Sequence, residues 1–247
     1  MKIIGHRGAS AVAPENTMAA FVAAREAGAD GVELDVHAAA EGELFVIHDY
    51  AVDRTTTGTG LVFDLPAAEI SHLDAGAWFA PEFAGERVPR LAEVLELEGL
   101  EFEVELKCFT AEAMLAVVDA VQNAGVLDCT EFTSWNLPML MDLKNHCPEG
   151  KIGIFSRRRE AWMPDEVFER TIIGSAAFTT ADVVHVYAGD ITPDIVAGLH
   201  AQGRKVHAND ATSTDQLRHA LESAADRTST NNPAAAVAFL RAESARS

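Results

Sequence analysis

Cysteine is scarce in this chain of 247 residues, which has three: Cys108, Cys129 and Cys147. An odd number at these spacings matches neither a zinc site nor a small disulfide framework, so reduced thiols in a reducing compartment are expected. Positive charge is scarce too, with 19 Lys and Arg against 38 Asp and Glu and a formal net charge of −19. Such a field repels nucleic acid and anionic membrane surfaces, so neither is an expected partner. No apolar run approaches the length of a transmembrane helix, and no signal-type segment precedes the first charged motif. A cytoplasmic location without stable membrane anchoring is the expectation. No Pro/Gly/Ser-rich linker divides the chain, and the first strand is followed by Gly5-His6-Arg7-Gly8 rather than a glycine-rich dinucleotide turn, which argues against an open doubly wound sheet. An anionic substrate would require the negative field to be reversed locally by Arg, Lys or a metal cation.

What is present alternates. Lys2 to Gly5 reads as a strand. The loop after it ends in Pro14-Glu15-Asn16-Thr17, where Asn16 is expected to cap a helix bearing Ala20, Phe21, Ala24 and Ala27 on one face. Val32 to His37 puts apolar residues on one parity and ionisable ones on the other. Leu44 to Ile47 follows and ends at His48-Asp49. Residues 50–88 break the pattern and read as a small insertion after the second strand, in which Trp78, Phe79 and Phe83 form either a local core or a lid. Regularity resumes with Pro89 as the first position of a short helix and a strand through Phe102 to Lys107. Beyond it the periodicity predicts helices over 110–123, 136–146, 165–173, 193–201 and 213–224, and strands over 129–133, 151–154, 182–186, 204–207 and 226–229. A last helix starts at Pro233. Merging the runs at 32–36 and 44–47 into one unit gives about eight strand-helix repeats, hence a single α/β domain over 1–247 with the architecture of a closed (β/α)8 barrel.

Side chains two apart on a strand point the same way, so Glu33 and Asp35 project together, as do Glu103, Glu105 and Lys107. Solvated strand faces would explain this, except that the strands of such a barrel are covered by helices outside and packed inside, leaving the C-terminal mouth for charge. Glu33, Asp35 and Glu105 form a hard-oxygen set suited to Mg²⁺ or Ca²⁺. His6 and His48 end two different strands at the same mouth, as an acid and base on either side of a reacting phosphorus would. Arg7 and Lys107 are suited to phosphoryl oxygens. His37 and Glu103 are expected to be satisfied internally, and His185 could face the mouth.

The segments His6-Arg7-Gly8, Pro14-Glu15-Asn16-Thr17, Gly28 to Val36, His48-Asp49, Asp53-Arg54-Thr55-Thr56, Pro89-Arg90-Leu91 and Glu105-Leu106-Lys107 together resemble the glycerophosphodiester phosphodiesterase family, closely over residues 1 to about 110. The resemblance implies a TIM barrel related to phosphoinositide-specific phospholipases C. It implies His6 and His48 as the acid/base pair, Glu33, Asp35 and Glu105 as ligands of a divalent cation, and Arg7, Asn16 and Lys107 around phosphate and metal. The implied reaction releases glycerol 3-phosphate and an alcohol from a small-molecule glycerophosphodiester, by direct water attack or through a cyclic phosphate. A lysophospholipase D-type activity, or a binding module without catalysis, are the alternatives. The C-terminal half matches loosely. His207 departs from the family pattern, with an altered pocket wall expected there, and Arg227 departs from it as well.

Overall fold

In the computed structural model, which describes residues 1–246, side-chain parity along the strands accounts for the architecture. In β2 (Gly31–Ala38), Val32, Leu34 and Val36 are fully buried in a hydrophobic cluster that also takes Val104 and Phe102 of β4 (Glu101–Leu106). That cluster is completed by Phe21 of α1 (Met18–Glu26), Met114 and Val117 of α4 (Ala111–Asn123), and Leu140 of α5 (Leu137–His146). Apolar residues of one parity therefore seal the strands against helices. Each such fully buried side chain contributes about 1.5–3 kcal/mol. The other parity is left facing inward with the charge.

The remaining strands are β1 (Lys2–Gly5), β3 (Leu44–Val46), β5 (Thr130–Ser134), β6 (Lys151–Phe155), β7 (Val183–Tyr187), β8 (Lys205–Asn209) and β9 (Arg227–Thr230). Parallel pairing runs β1-β9-β8-β7-β6-β5-β4-β2, and β1 pairs with β2 to close the ring. The result is a (β/α)8 barrel. β3 lies outside it: it pairs antiparallel with β2, Val36 opposite Val46, so the runs at 32–36 and 44–47 make a hairpin rather than one unit. The hairpin turns the chain back so that His48 returns to the mouth.

Around the second half of the barrel stand α6 (Asp165–Ala177), α7 (Pro193–His200), α8 (Thr214–Glu222) and α9 (Pro233–Ser244). Their apolar faces meet Ile3, Val184, Val186, Val206 and Ala208 in a second cluster. Thr17, Thr110, Asn136, Thr192, Ser213 and Asn232 each accept a backbone N–H in the first turn of a helix, satisfying donors that would otherwise be orphaned. At α1 the cap is Thr17, not Asn16 as the sequence suggested, which leaves Asn16 free for other work. Pro89 likewise falls two residues before α3 (Leu91–Leu95), whose cap is Arg90.

Residues 50–88 contain α2 (Ala67–Ile70) and two short 3-10 turns. Val52, Val62, Ile70, Leu73 and Val88 gather with Phe45 and Ile47 into a third hydrophobic cluster. Trp78, Phe79 and Phe83 are not in it. They form a row of edge-to-face rings, 5.7 and 5.6 Å between neighbours, with Trp78 41% exposed. Among the described residues no helix is long and apolar enough to cross a membrane.

All three cysteines are free thiols, and Cys108 and Cys147 are buried. Burial also pushes the Cys108 thiol up to about 11. At pH 8 the native protein is expected to release at most one equivalent in a disulfide-exchange thiol assay, from half-buried Cys129, and three once unfolded. Two or more fast native equivalents would contradict this packing.

Candidate active site

Every strand of the barrel delivers its C-terminal end to one mouth, and the loops there hold a cavity of about 170 Å³ whose wall includes His6, Arg7, Glu33, His48, Glu105 and Lys107. His6 follows β1 directly. Its Nδ1 lies 2.7 Å from Asn231 Oδ1, and its Nε2 lies 3.9 Å from Glu33 Oε2 and 4.0 Å from Asp210 Oδ1. Arg7 adopts a left-handed backbone, φ 54°, which lets its N–H donate to Glu33 Oε2 at 2.9 Å. Gly8 continues the turn at φ 81°, where a Cβ would collide with the backbone of Ala20. Strained backbone concentrated at such a turn is a mark of a functional loop.

Asn16 is also left-handed, φ 57°, and its Nδ2 donates to Asp35 Oδ2 at 2.8 Å. Lys107 Nζ donates to Glu105 Oε1 at 2.6 Å and stands 3.3 Å from Asp35 Oδ1. Arg7 Nε is 3.4 Å from Asp35 Oδ2. One oxygen each of Glu33, Asp35 and Glu105 lies within 4.8 Å of the others. Burial and the neighbouring Asp35 raise Glu33 well above the ordinary carboxylate range. The same two causes push Glu105 up to about 7. Burial also opposes ionisation of Asp35, but Lys107 and Arg7 outweigh it and hold that carboxyl low.

His48 is oriented by Asp49, whose Oδ1 is 2.7 Å from its Nδ1. Hydrogen bonds from Arg54 hold Asp49 well below the carboxylate range. Arg54 forks onto Asp49 at 2.6 and 3.0 Å and onto Glu15 at 2.9 and 2.8 Å, and Glu15 also takes Arg7 Nη1 at 2.9 Å. An unbroken relay, Arg7–Glu15–Arg54–Asp49–His48, therefore ties one side of the mouth to the other. Glu15, Asp49 and Arg54 were quoted in the motifs of the sequence without a role, and their alternating charge was the available signal. Asn231, 225 positions from His6, carried none.

Two expectations are corrected. His185 lies at the middle of β7, wholly buried, instead of at the mouth, with Nε2 2.6 Å from Glu131 Oε1. His207 is likewise buried in the barrel interior, 3.0 Å from Glu103 Oε2, and forms no part of a solvent-facing pocket wall. Parity alone does not report depth along the barrel axis. Glu131 was missed altogether, being a lone acid in a short strand, Thr130–Ser134, with a single apolar residue to mark its parity. His37 is internally satisfied as expected, its Nε2 3.2 Å from the His48 carbonyl. Glu103 is buried and pairs with His185 and His207.

Aromatic rings flank the cavity. Tyr50 stacks on Phe109 at 5.2 Å and Trp135 on Phe155 at 4.8 Å. Tyr50, Phe109 and Trp135, with Glu105 and Lys107, line an adjoining cavity of about 270 Å³.

A closed (β/α)8 barrel with strained, charge-lined loops at its C-terminal mouth defines a class, the barrel enzymes whose chemistry sits on those loops. Comparison with known proteins narrows the class. The profile of the Glycerophosphoryl diester phosphodiesterase family matches residues 6–235. The glycerophosphodiester phosphodiesterase of Caldanaerobacter subterraneus subsp. tengcongensis is 34% identical over 97% of this chain and 97% of its own. A crystal structure of a glycerophosphodiester phosphodiesterase from Agrobacterium tumefaciens superposes with a TM-score of 0.79 at 33% identity, covering 95% of this chain and 97% of that one. A phosphodiesterase from Oleispira antarctica, in complex with the product sn-glycerol-3-phosphate, gives a TM-score of 0.86 at 27% identity over 98% and 97% of the two chains. The chain belongs to the glycerophosphoryl diester phosphodiesterase family and is a phosphoric diester hydrolase.

The buried charges generate a stability test. A folded-state carboxyl raised above its ordinary value means that the native protein holds the proton more tightly than the unfolded chain, so stability falls as pH rises through about 7 at Glu105. Lys107 limits that loss. Lys107→Met is expected to lower the urea-unfolding free energy by about 3 kcal/mol at pH 8 and by clearly less at pH 6, where Glu105 is neutral. An equal loss at both pH values would show that the ammonium does not compensate these carboxylates.

Proposed function

We propose that the chain hydrolyses glycerophosphodiesters to glycerol 3-phosphate and an alcohol, with His6 and His48 exchanging protons and Glu33, Asp35 and Glu105 holding a divalent cation, Mg²⁺ or Ca²⁺. The observation that carries this reading is the convergence of all five side chains, brought by β1, β2, β4 and the loop after β3, on the mouth of one barrel. The carboxylate set fits a hard cation: its donors are oxygens, and Asp35 Oδ1 is buried without a hydrogen-bond partner among the described residues. A cation bound there would polarise a phosphoryl oxygen and acidify the attacking hydroxyl. The chain's own residues do the rest. Arg7 and Lys107 offset charge growing on the phosphoryl oxygens. Asn16 fixes the Asp35 carboxylate, and Glu15 and Arg54 fix Arg7 and Asp49.

Each catalytic ring is held at Nδ1, His6 by Asn231 and His48 by Asp49, so Nε2 is the atom left to exchange a proton with substrate. One histidine takes a proton from the attacking hydroxyl, of water or of the glycerol itself, and the other delivers one to the leaving alkoxide. We read residues 50–88 as a small insertion within a single barrel domain, there to supply Tyr50 and Arg54. A second reading, hydrolysis of lysophospholipid-like esters, draws support from Tyr50, Phe109 and Trp135, whose exposed rings offer an apolar wall beside Glu105 and Lys107.

With glycerophosphocholine as substrate, chelation with EDTA is expected to abolish turnover and Mg²⁺ or Ca²⁺ to restore it. His6→Ala and His48→Ala each lose roughly 10²- to 10⁴-fold in kcat with cation binding retained, whereas Glu33→Ala loses cation affinity with the fold intact. Activity that survives both chelation and His6→Ala would sink the mechanism, and tight binding without turnover would favour a binding module. Faster turnover of lysophosphatidylcholine than of glycerophosphocholine would favour the second reading.

Cation affinity should also climb between pH 6 and 8, because the Glu105 carboxyl, at about 7, must lose its proton before it can serve as a ligand. Calorimetry in buffers of different ionisation enthalpy counts that proton. A pH-independent affinity without proton release would remove Glu105 from the ligand set.

A further inference from the structure

Below the mouth, the interior of the barrel holds a second group of potential ligands. Glu103 of β4, His185 of β7 and His207 of β8 each offer one atom within 4.8 Å of the others, and all three residues are buried. His185 and His207 are register partners on adjacent strands with ring centroids 4.4 Å apart. Glu103 Oε1 lies 3.4 Å from His185 Nδ1, and Glu103 Oε2 lies 3.0 Å from His207 Nδ1.

Glu103 Oε2 and His207 Nδ1 face each other at 3.0 Å, while Nε2 of the fully buried His207 ring lacks a hydrogen-bond partner among the described residues. Leaving such a group unpaired costs about 1–3 kcal/mol. The spacing has another explanation. Ligand atoms about 2.0–2.1 Å from a tetrahedral zinc-class ion stand roughly 3.3 Å from one another, near the 3.4 and 3.0 Å that separate the two Glu103 oxygens from Nδ1 of His185 and of His207.

The surroundings of His185 match this too. A metal-bound imidazole commonly donates its other ring N–H to a carboxylate, which fixes the tautomer. Nε2 of His185 lies 2.6 Å from Glu131 Oε1, its Nδ1 lies between Asn209 Oδ1 at 3.0 Å and Glu103 Oε1 at 3.4 Å, and Arg227 pairs with the other oxygen of Glu131. Gly153 makes the room: a Cβ there would overlap both Glu131 Oε1 and His185 Nε2. Glu103 and Asn209 also line the mouth cavity, the side from which an ion would enter.

We infer that Glu103, His185 and His207 form a second cation site, for a nitrogen-preferring divalent ion of the zinc class, beneath the mouth and separate from Glu33, Asp35 and Glu105. Two imidazoles and one carboxylate select for zinc or its first-row neighbours, whereas three carboxylates select for magnesium or calcium. The inference does not depend on the phosphodiesterase mechanism.

Cobalt(II) and zinc(II) serve as probes on the full chain. A Glu33→Gln/Glu105→Gln double variant, stripped by chelation, is expected to take up one equivalent of Co²⁺ with the intense visible bands of a four- or five-coordinate, nitrogen-ligated ion. Adding His207→Gln to that variant should remove the bands and weaken Co²⁺ binding by at least about tenfold. Because a change at His207 can also perturb folding, X-ray absorption on the wild-type protein with one equivalent of Zn²⁺ gives an independent reading. Imidazole scattering from two nitrogens at about 2.0–2.1 Å is expected. An all-oxygen zinc shell, the faint spectrum of six-coordinate cobalt, or Co²⁺ binding unaltered in a folded His207→Gln variant would each overturn the site. Mg²⁺-dependent turnover by a wild-type protein lacking the cobalt bands would sink this inference alone, and the bands without turnover would sink only the proposed function.

Discussion

The structure depends on how charge is tolerated inside a closed barrel. Glu33, Asp35, Glu103, Glu105 and Glu131 are all buried, and isolated carboxylates in such surroundings would cost several kcal/mol each. They are sustained by cations that the same fold supplies. Lys107 lies against Asp35 and Glu105, Arg7 against Asp35 and Glu15, and Arg227 against Glu131. The compensation is incomplete at Glu33 and Glu105, whose carboxyls remain raised. A site left short of positive charge in this way is prepared for a divalent cation and, through it, for an anionic substrate that the global charge of −19 would repel.

That shortage explains why the loops around the mouth are so heavily cross-braced. The relay from Arg7 through Glu15, Arg54 and Asp49 to His48 spans segments that are adjacent only because the β2–β3 hairpin returns the chain to the mouth. Arg54 is partly exposed, yet its bidentate bonds to two carboxylates give it a geometry that a single flexible ion pair would not hold. Positioning of His48 is therefore tied to the Arg7 turn, so under the proposed mechanism one network aligns the two sides of the reacting phosphorus. Misalignment by even an ångström costs about 10²-fold in rate, which is reason enough for a brace of this length.

Much of this was legible in the sequence, and what was not has a physical reason. Period-two alternation in Val32 to His37 and Phe102 to Lys107 revealed strands buried on both faces, and eight repeats implied closure. The mouth residues lay in short motifs, where local spacing reports shared direction. Depth was not legible. His185 and Glu105 have the same inward parity, but one sits mid-strand and the other near a strand end, and only strand register resolves that. Partners distant in the chain, such as Asn231 with His6 or Glu131 with His185, leave no local trace. The misassigned cap at α1 shows a similar limit: Asn16 and Thr17 are both good caps, and the choice is made by Asp35, which takes the Asn16 amide.

The same constraint governs the barrel interior beneath the mouth. There Glu131, Gly153, His185, His207 and Arg227 form one interlocked group. His207 and Arg227 are register partners, Arg227 neutralises Glu131, Glu131 holds His185, and Gly153 yields the space for that bond. Introduced singly, any of these charges would stand buried and unpaired, at a cost comparable to a large share of the stability of a domain. Present together, they neutralise one another beneath the mouth. The interior layer is thus one coupled unit, in which a change at any one position would strand the charges of the others.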